Sequence, residues 1–225
     1  MGNRVGPPMM TATIDRTIDF PGAGGPNGSA WDGEALWCCD CDEYTIYRLD
    51  PHTGETLRSF RPVDSIPAGL AWDGSSLWVT VPYHFKIYRL DPVGGGVVGS
   101  LPTPSDKPHG ITWDGSHLWT CCPATDRCYR LAPDDGAVVA TFAAPASRPH
   151  GLEWDGDALW SADTNERTLY RLDQGGAVLA TVAVPDGTEP HGLTWDGASI
   201  WFDDEKAGLI HRLRLTRNAP TIPPV

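Results

Sequence analysis

Residues 189–205 read EPHGLTWDGASIWFDDE, and nearly every other segment of the chain is a variant of this stretch or a connector between variants. Its Trp-Asp-Gly triplet recurs from Trp31, Trp72, Trp113, Trp154 and Trp195, one copy every 41 residues with no insertion or deletion. A second Trp follows six residues later, at Trp37, Trp78, Trp119, Trp160 and Trp201. Ten residues further on stands Tyr47, Tyr88, Tyr129, Tyr170 or His211. A period of about 40 to 45 residues marks either propeller blades or helical arrays. Inside the unit, Gly192 to Trp195 is short and apolar, Asp196-Gly197 is a hairpin dipeptide, and Ile200 to Asp203 carries the bulky residues that strands favour. A third strand is expected around Leu209 to Leu213 and a fourth in runs such as Thr56 to Phe60. Gly or Pro interrupts every window long enough for three helical turns.

The predicted fold is therefore all-β: a five-bladed β-propeller of four-stranded antiparallel blades. The last unit stops after its third strand, whereas Ala12 to Pro21 resembles a fourth strand but precedes the first triplet. We therefore expect residues 12–20 to complete the last blade and close the ring. Residues 1–11 are then an N-terminal arm, 12–215 the propeller and 216–225 a tail. The Trp, Leu, Ile and most Tyr columns read as core, and the Asp of each triplet as turn chemistry. Arg48, Arg89, Arg130, Arg171 and Arg212 recur in all five units, and an asymmetric active site cannot use one residue five times.

A formal net charge of −12 argues against a nucleic-acid partner, whose phosphates need a basic surface. The N-terminal residues lack a signal-peptide core and no run of 18 apolar residues exists, so a cytoplasmic monomer without a membrane partner is expected. The six cysteines, Cys38, Cys39, Cys41, Cys121, Cys122 and Cys128, offer no second CxxC pair beside Cys38 and Cys41 to complete a zinc site and are expected to be reduced packing residues.

Function should lie where the copies disagree at positions that converge. The column heading the first strand reads Asn27, Ala68, His109, His150, His191. That at the end of the second strand reads Asp40, Val81, Cys122, Asp163, Asp204, and that before the Pro reads Gly25, Ile66, Lys107, Arg148, Glu189. All three should ring one mouth of a central channel. Three His on consecutive blades suit a metal or acid-base site. The bland alternatives are His satisfying turn carbonyls and Asp making local turn bonds.

The unit PHGLxWDGxxLWxxD...YRLD resembles the blades of the virginiamycin B lyase family and, more distantly, of gluconolactonase-like and NHL-type propellers. That family's lyases have seven blades, and this chain supplies five units. The resemblance implies His191 as general base, His150 as a substrate contact, and Glu189 with Asp204 or Glu205 as ligands of a Mg²⁺ cofactor. The implied activity is proton abstraction α to a carbonyl with C–O elimination from a small-molecule or peptide-like substrate. Two other classes stay open: a binding propeller without catalysis, and a metal-dependent hydrolase or isomerase in which His109, His150 and His191 hold a transition metal.

Overall fold

The computed structural model describes residues 7–217. Parts of the expected arm, 1–6, and tail, 218–225, lie outside them. The first strand is β1 (Met9–Asp19), so the segment expected at 12–20 begins three residues earlier, within the expected arm. The first repeat follows as β2 (Pro26–Trp31), β3 (Leu36–Asp40), β4 (Ile46–Leu49) and β5 (Thr56–Phe60). The second comprises β6 (Leu70–Trp72), β7 (Leu77–Val81), β8 (Lys86–Leu90) and β9 (Val97–Pro102). The third comprises β10 (Ile111–Trp113), β11 (Leu118–Cys122), β12 (Arg127–Leu131) and β13 (Val138–Ala143). The fourth is β14 (Pro149–Trp154), β15 (Leu159–Asp163), β16 (Thr168–Leu172) and β17 (Val178–Ala183). The fifth has β18 (Leu193–Trp195), β19 (Ile200–Asp204) and β20 (Leu209–Arg217), the last running into the expected tail. A single 3₁₀ turn at Pro82–His84 is the helical element among the described residues.

Within each unit consecutive strands pair antiparallel, and three units form separate four-stranded sheets. The fifth differs: β20 pairs antiparallel with β1, from Met10↔Arg217 to Asp19↔Leu209, so the first strand of the chain becomes the outer strand of its last repeat. The start of β1 also pairs in parallel with β17, at Met9↔Thr181 and Met10↔Val182, which fuses the fourth and fifth repeats into one eight-stranded sheet. This bridge was not foreseen in the sequence.

The triplets explain the uniform hairpins. Asp32 Oδ1 accepts from the amides of Glu34 and Ala35 at 2.9 and 2.8 Å, while its Oδ2 accepts from Trp37 Nε1 at 2.8 Å and Arg48 Nε at 2.6 Å. Asp114, Asp155 and Asp196 repeat the pattern with their own Trp and Arg. In the second unit Arg89 lies 3.6 Å from Asp73 and gives its Nε to Ser76. Burial alone would raise these carboxyls, but the donors outweigh it and hold them below the usual Asp range. The following Gly takes φ between 91° and 100° in every unit, a conformation that an L side chain resists.

Five hydrophobic clusters each straddle two consecutive units. One packs Trp37 and Ile46 on Leu77 and Val79, and another carries Trp201 and Ile210 of the fifth unit onto Leu36 and Leu49 of the first. The inner strands meet in the same order at a column of glycines. A Cβ on Gly28 would fall within 3.0 Å of the Ala68 carbonyl, on Gly69 of the His109 carbonyl, on Gly110 of the His150 carbonyl, and on Gly151 of the His191 carbonyl. On Gly192 it would strike Asp203 and the Asn27 carbonyl, which returns the sequence of contacts to its start. The expected central channel is thereby stopped: the space left among these strands is about 10 Å³, room for one water at most.

Gly110→Ala should lower stability by about 1–3 kcal/mol or more, because the neighbouring atoms are backbone and cannot swing aside. Gly96→Ala, with no atom within 4 Å, is the matched control and should be neutral or slightly stabilising. Urea unfolding of the two variants measures the difference.

Candidate functional site

Each of His109, His150 and His191 follows a Pro and precedes one of the axial glycines, so the backbone contacts that stop the axis fix where these rings can go. The second strands add a further hold, since the amides of His109 and His191 donate to the carbonyls of Cys121 and Asp203 at 2.8 and 2.9 Å. The rings converge at one end of the axis. Centroids lie 4.5 Å apart for His109–His150, 4.8 Å for His109–His191 and 4.5 Å for His150–His191, the last pair stacked at 21°. One ring nitrogen from each lies within 4.8 Å of the others, and among the described residues this is the group of three His, Cys, Asp or Glu side chains that could hold a metal ion.

The hydrogen bonds around the rings set their tautomers. The Thr164 hydroxyl donates to the Pro190 carbonyl at 2.9 Å, so toward His150 Nδ1, also at 2.9 Å, it must accept. His150 therefore carries its proton on Nδ1 and a lone pair on Nε2. His191 Nδ1, 2.9 Å from the Asn27 carbonyl, must likewise be protonated. Outward N–H groups held by oxygen acceptors are the usual second layer of a His metal site.

All three imidazoles are held neutral at physiological pH. Burial, then the charge of His191, then Arg148, push His150 down to about 3. Burial and the two neighbouring imidazoles depress His109 well below its ordinary value. His191 is lowered by burial, against the opposing pull of Glu205. Neutral imidazole is the ligating form.

The carboxylates expected nearby are distributed differently. Glu205 Oε2 lies 3.4 Å from His191 Nε2, whereas Glu189 pairs with Lys206 Nζ at 2.7 Å. Asp204 accepts from the amides of Glu189 and Ala207 at 3.2 and 3.1 Å. Asp163 does the same for Arg148 and Glu166, and Asp40 for Gly24, Asp42 and Glu43. These three Asp therefore pin the loop before the Pro to the end of the second strand, and Glu189, Asp204 and Glu205 do not form a joint ligand set. Cys122 is buried, its thiol pushed up to about 11 by burial, and Asn27 gives its amide to the Pro67 carbonyl. The cysteines are all free.

Two further features appear only in space, the direction of Arg148, a member of the column before the Pro, and the buried Asp203. Arg148 aims its side chain at the triad, with Nε 3.5 Å from His150 Nε2 and a terminal nitrogen 3.4 Å from Asn165 Oδ1. Asp203, fully buried, accepts from Ser29 Oγ at 2.6 Å while its Oδ2 has no partner, and burial raises its carboxyl to about 7. The signal for Asp203 was a column one step inside the Asp column: Cys39, Thr80, Cys121, Ala162, Asp203.

No protein-family model matches the chain, and no curated protein resembles it significantly. Solved structures do. Glutaminyl cyclase of Myxococcus xanthus superposes with a TM-score of 0.82 at 12% identity, over 95% of this chain and 100% of that one. Virginiamycin B lyase of Staphylococcus aureus gives 0.57 at 23% identity, over 87% and 68%. A streptogramin B lyase gives 0.55 at 16% identity, over 91% and 98%. The fold is a propeller of the virginiamycin B lyase kind.

The depressed His150 pKa sets a pH dependence. Its folded value lies below the unfolded value near 6.5, so the unfolded chain binds the proton first. The stability tied to neutral His150 is whole above about pH 6.5 and is lost as pH falls toward 3. The urea midpoint of metal-free protein should drop over this window, with a smaller drop in His150→Ala.

Proposed function

We propose that the chain is a five-bladed β-propeller closed by β1, and a metal-dependent enzyme acting on a small-molecule or peptide-like substrate at the His109–His150–His191 cluster. The observation that carries this reading is the convergence of three buried, neutral imidazoles, two of them, His150 and His191, with the Nδ1 proton held by an oxygen acceptor. In a tetrahedral site two nitrogens each about 2.1 Å from one ion lie about 3.4 Å apart, so rings whose nitrogens lie within 4.8 Å of one another must close by roughly 1 to 1.5 Å to bind. Three imidazoles suit zinc, iron or a similar ion. The Mg²⁺ expected on Glu189, Asp204 and Glu205 is disfavoured, because Lys206 and backbone amides hold the first two.

A bound divalent ion would polarise a substrate carbonyl. The chain's own groups supply the rest. Glu205, 3.4 Å from His191 and 40% exposed in its side chain, is placed to exchange a proton with a substrate or water beside the cluster. Thr164 holds His150 in the tautomer that keeps the Nε2 lone pair unprotonated, where Arg148 Nε faces it at 3.5 Å. Hydrolysis or isomerisation at a carbonyl is the favoured class. The C–O elimination of the streptogramin lyases is the second reading, supported by neutral His191 lying beside Glu205. We also propose a cytoplasmic monomer without nucleic-acid or membrane partner, for which the support is the net charge of −12.

Cobalt(II) titration should show one equivalent bound in a tetrahedral, strongly absorbing site, and His109→Ala, His150→Ala and His191→Ala should each abolish it. Thr164→Val should weaken binding by about 10- to 100-fold, and Thr164→Ser should restore it. Absence of binding by the unaltered protein would remove the metal-dependent reading. Closure is tested separately: removal of residues 1–21 exposes the edge of β20 and should cause aggregation or a large fall in Tm.

A further inference from the structure

Beside the triad lies a cavity of about 270 Å³, lined by Arg148, Thr164, Asn165, Arg167, Glu189, His191, Glu205 and Lys206. Its charged groups are unequally engaged. Lys206 and Glu189 neutralise each other at 2.7 Å, and Arg167 is bound to the carbonyls of Thr188 and Pro185 at 2.8 and 3.0 Å. Arg148 is different. Among the described residues no carboxylate lies within ion-pair distance of its side chain, which makes only the long contacts to His150 and Asn165. The repeated arginines, by contrast, each face the Asp of their own triplet. Glu205 is the complementary case: among the described residues no Lys or Arg lies within ion-pair distance, and its carboxylate meets neutral His191 at 3.4 Å and the Cys41 thiol at 3.8 Å.

We infer that this cavity is a subsite for a zwitterionic, α-amino-acid-like group, its carboxylate on Arg148 and its ammonium on Glu205. The inference rests on the reading of the triad as the reaction centre, because the same cavity reaches His191. A planar guanidinium accepts a carboxylate through two parallel hydrogen bonds. An uncharged ligand leaves both protein charges without a partner, and a simple anion meets Glu205 unfavourably across the site. A molecule carrying both charges satisfies the two walls together, and the volume admits a single amino-acid unit rather than a long peptide.

Calorimetric titration of the full chain with glycine, acetate and methylammonium tests the assignment. Glycine should bind at least about ten-fold more tightly than either single-charge probe, as expected when both charged hydrogen-bonding groups contribute. Arg148→Gln and Glu205→Gln should each weaken glycine by about ten-fold or more, and Arg148→Lys should recover part of the loss while guarding against a merely misfolded Gln variant. Acetate binding as tightly as glycine, no glycine binding, or Gln variants indistinguishable from the unaltered protein would each overturn the inference. Cobalt binding retained alongside any of these results leaves the metal centre standing, whereas glycine binding with the expected charge dependence but no cobalt site removes the metal alone.

Discussion

Everything in this molecule is arranged around the near-contact of backbones at the axial glycines. Inner strands that approach closely enough to exclude a Cβ leave almost no space between them, so the residue just before each glycine has one direction open to it. In the last three repeats that residue is His. The steric condition that lets the inner strands meet therefore also gathers three imidazoles at one end and denies them water from the other. Packing and site are two results of one restriction, and the depressed basicity of the rings follows from it through burial.

Outside the axis the design is conservative. Asp, Trp and Arg form the same hydrogen-bonded corner in unit after unit, and the guanidinium lies 5.5–6.0 Å from the Trp ring centroid in four of them. Paired, partly buried charges of this sort add less net stability than their number implies. Their value is geometric: they fix the hairpin, the second Trp buries against the next unit, and the spacing of the inner strands is thereby set. A frame repeated this closely leaves variation at the axial end free to serve chemistry.

Much of the fold was legible because each strand is announced by local chemistry, the Trp-Asp-Gly corner above all, and the pairing of β1 with β20 followed from a fourth strand missing at one end and present in excess at the other. The three His were legible as a column. For the column of Asp40, Asp163 and Asp204 the sequence left turn bonding and ligand binding both open, since a carboxylate that caps its own turn looks, in sequence, like one aimed at a ligand. Position along a strand does not reveal which of two adjacent side chains faces the axis, and so Glu205 approaches His191 while its neighbour Asp204 binds amides. Arg148 was visible as a deviation, but its lack of an acidic partner is a property of space alone. Asp203 was hidden by the same limitation, lying one step inside the column singled out for attention.

The double engagement of β1 has a temporal side. Its partners are residues 181–182 and 209–217, so β1 cannot pair until the fourth and fifth repeats have been synthesised. The intervening repeats can stack on one another as they emerge, each burying a face against its predecessor, while an unpartnered strand trails from the first of them. Pairing of β1 with β20 is then a slow, long-range event of folding, governed by the loss of chain entropy in joining distant segments and not by the local hairpins. The same event carries the fifth repeat, with His191 and Glu205, against the first, where the Asn27 carbonyl takes the His191 proton. The end of the axis where the three imidazoles meet is thus completed only after the fifth repeat has been made and has docked on the first.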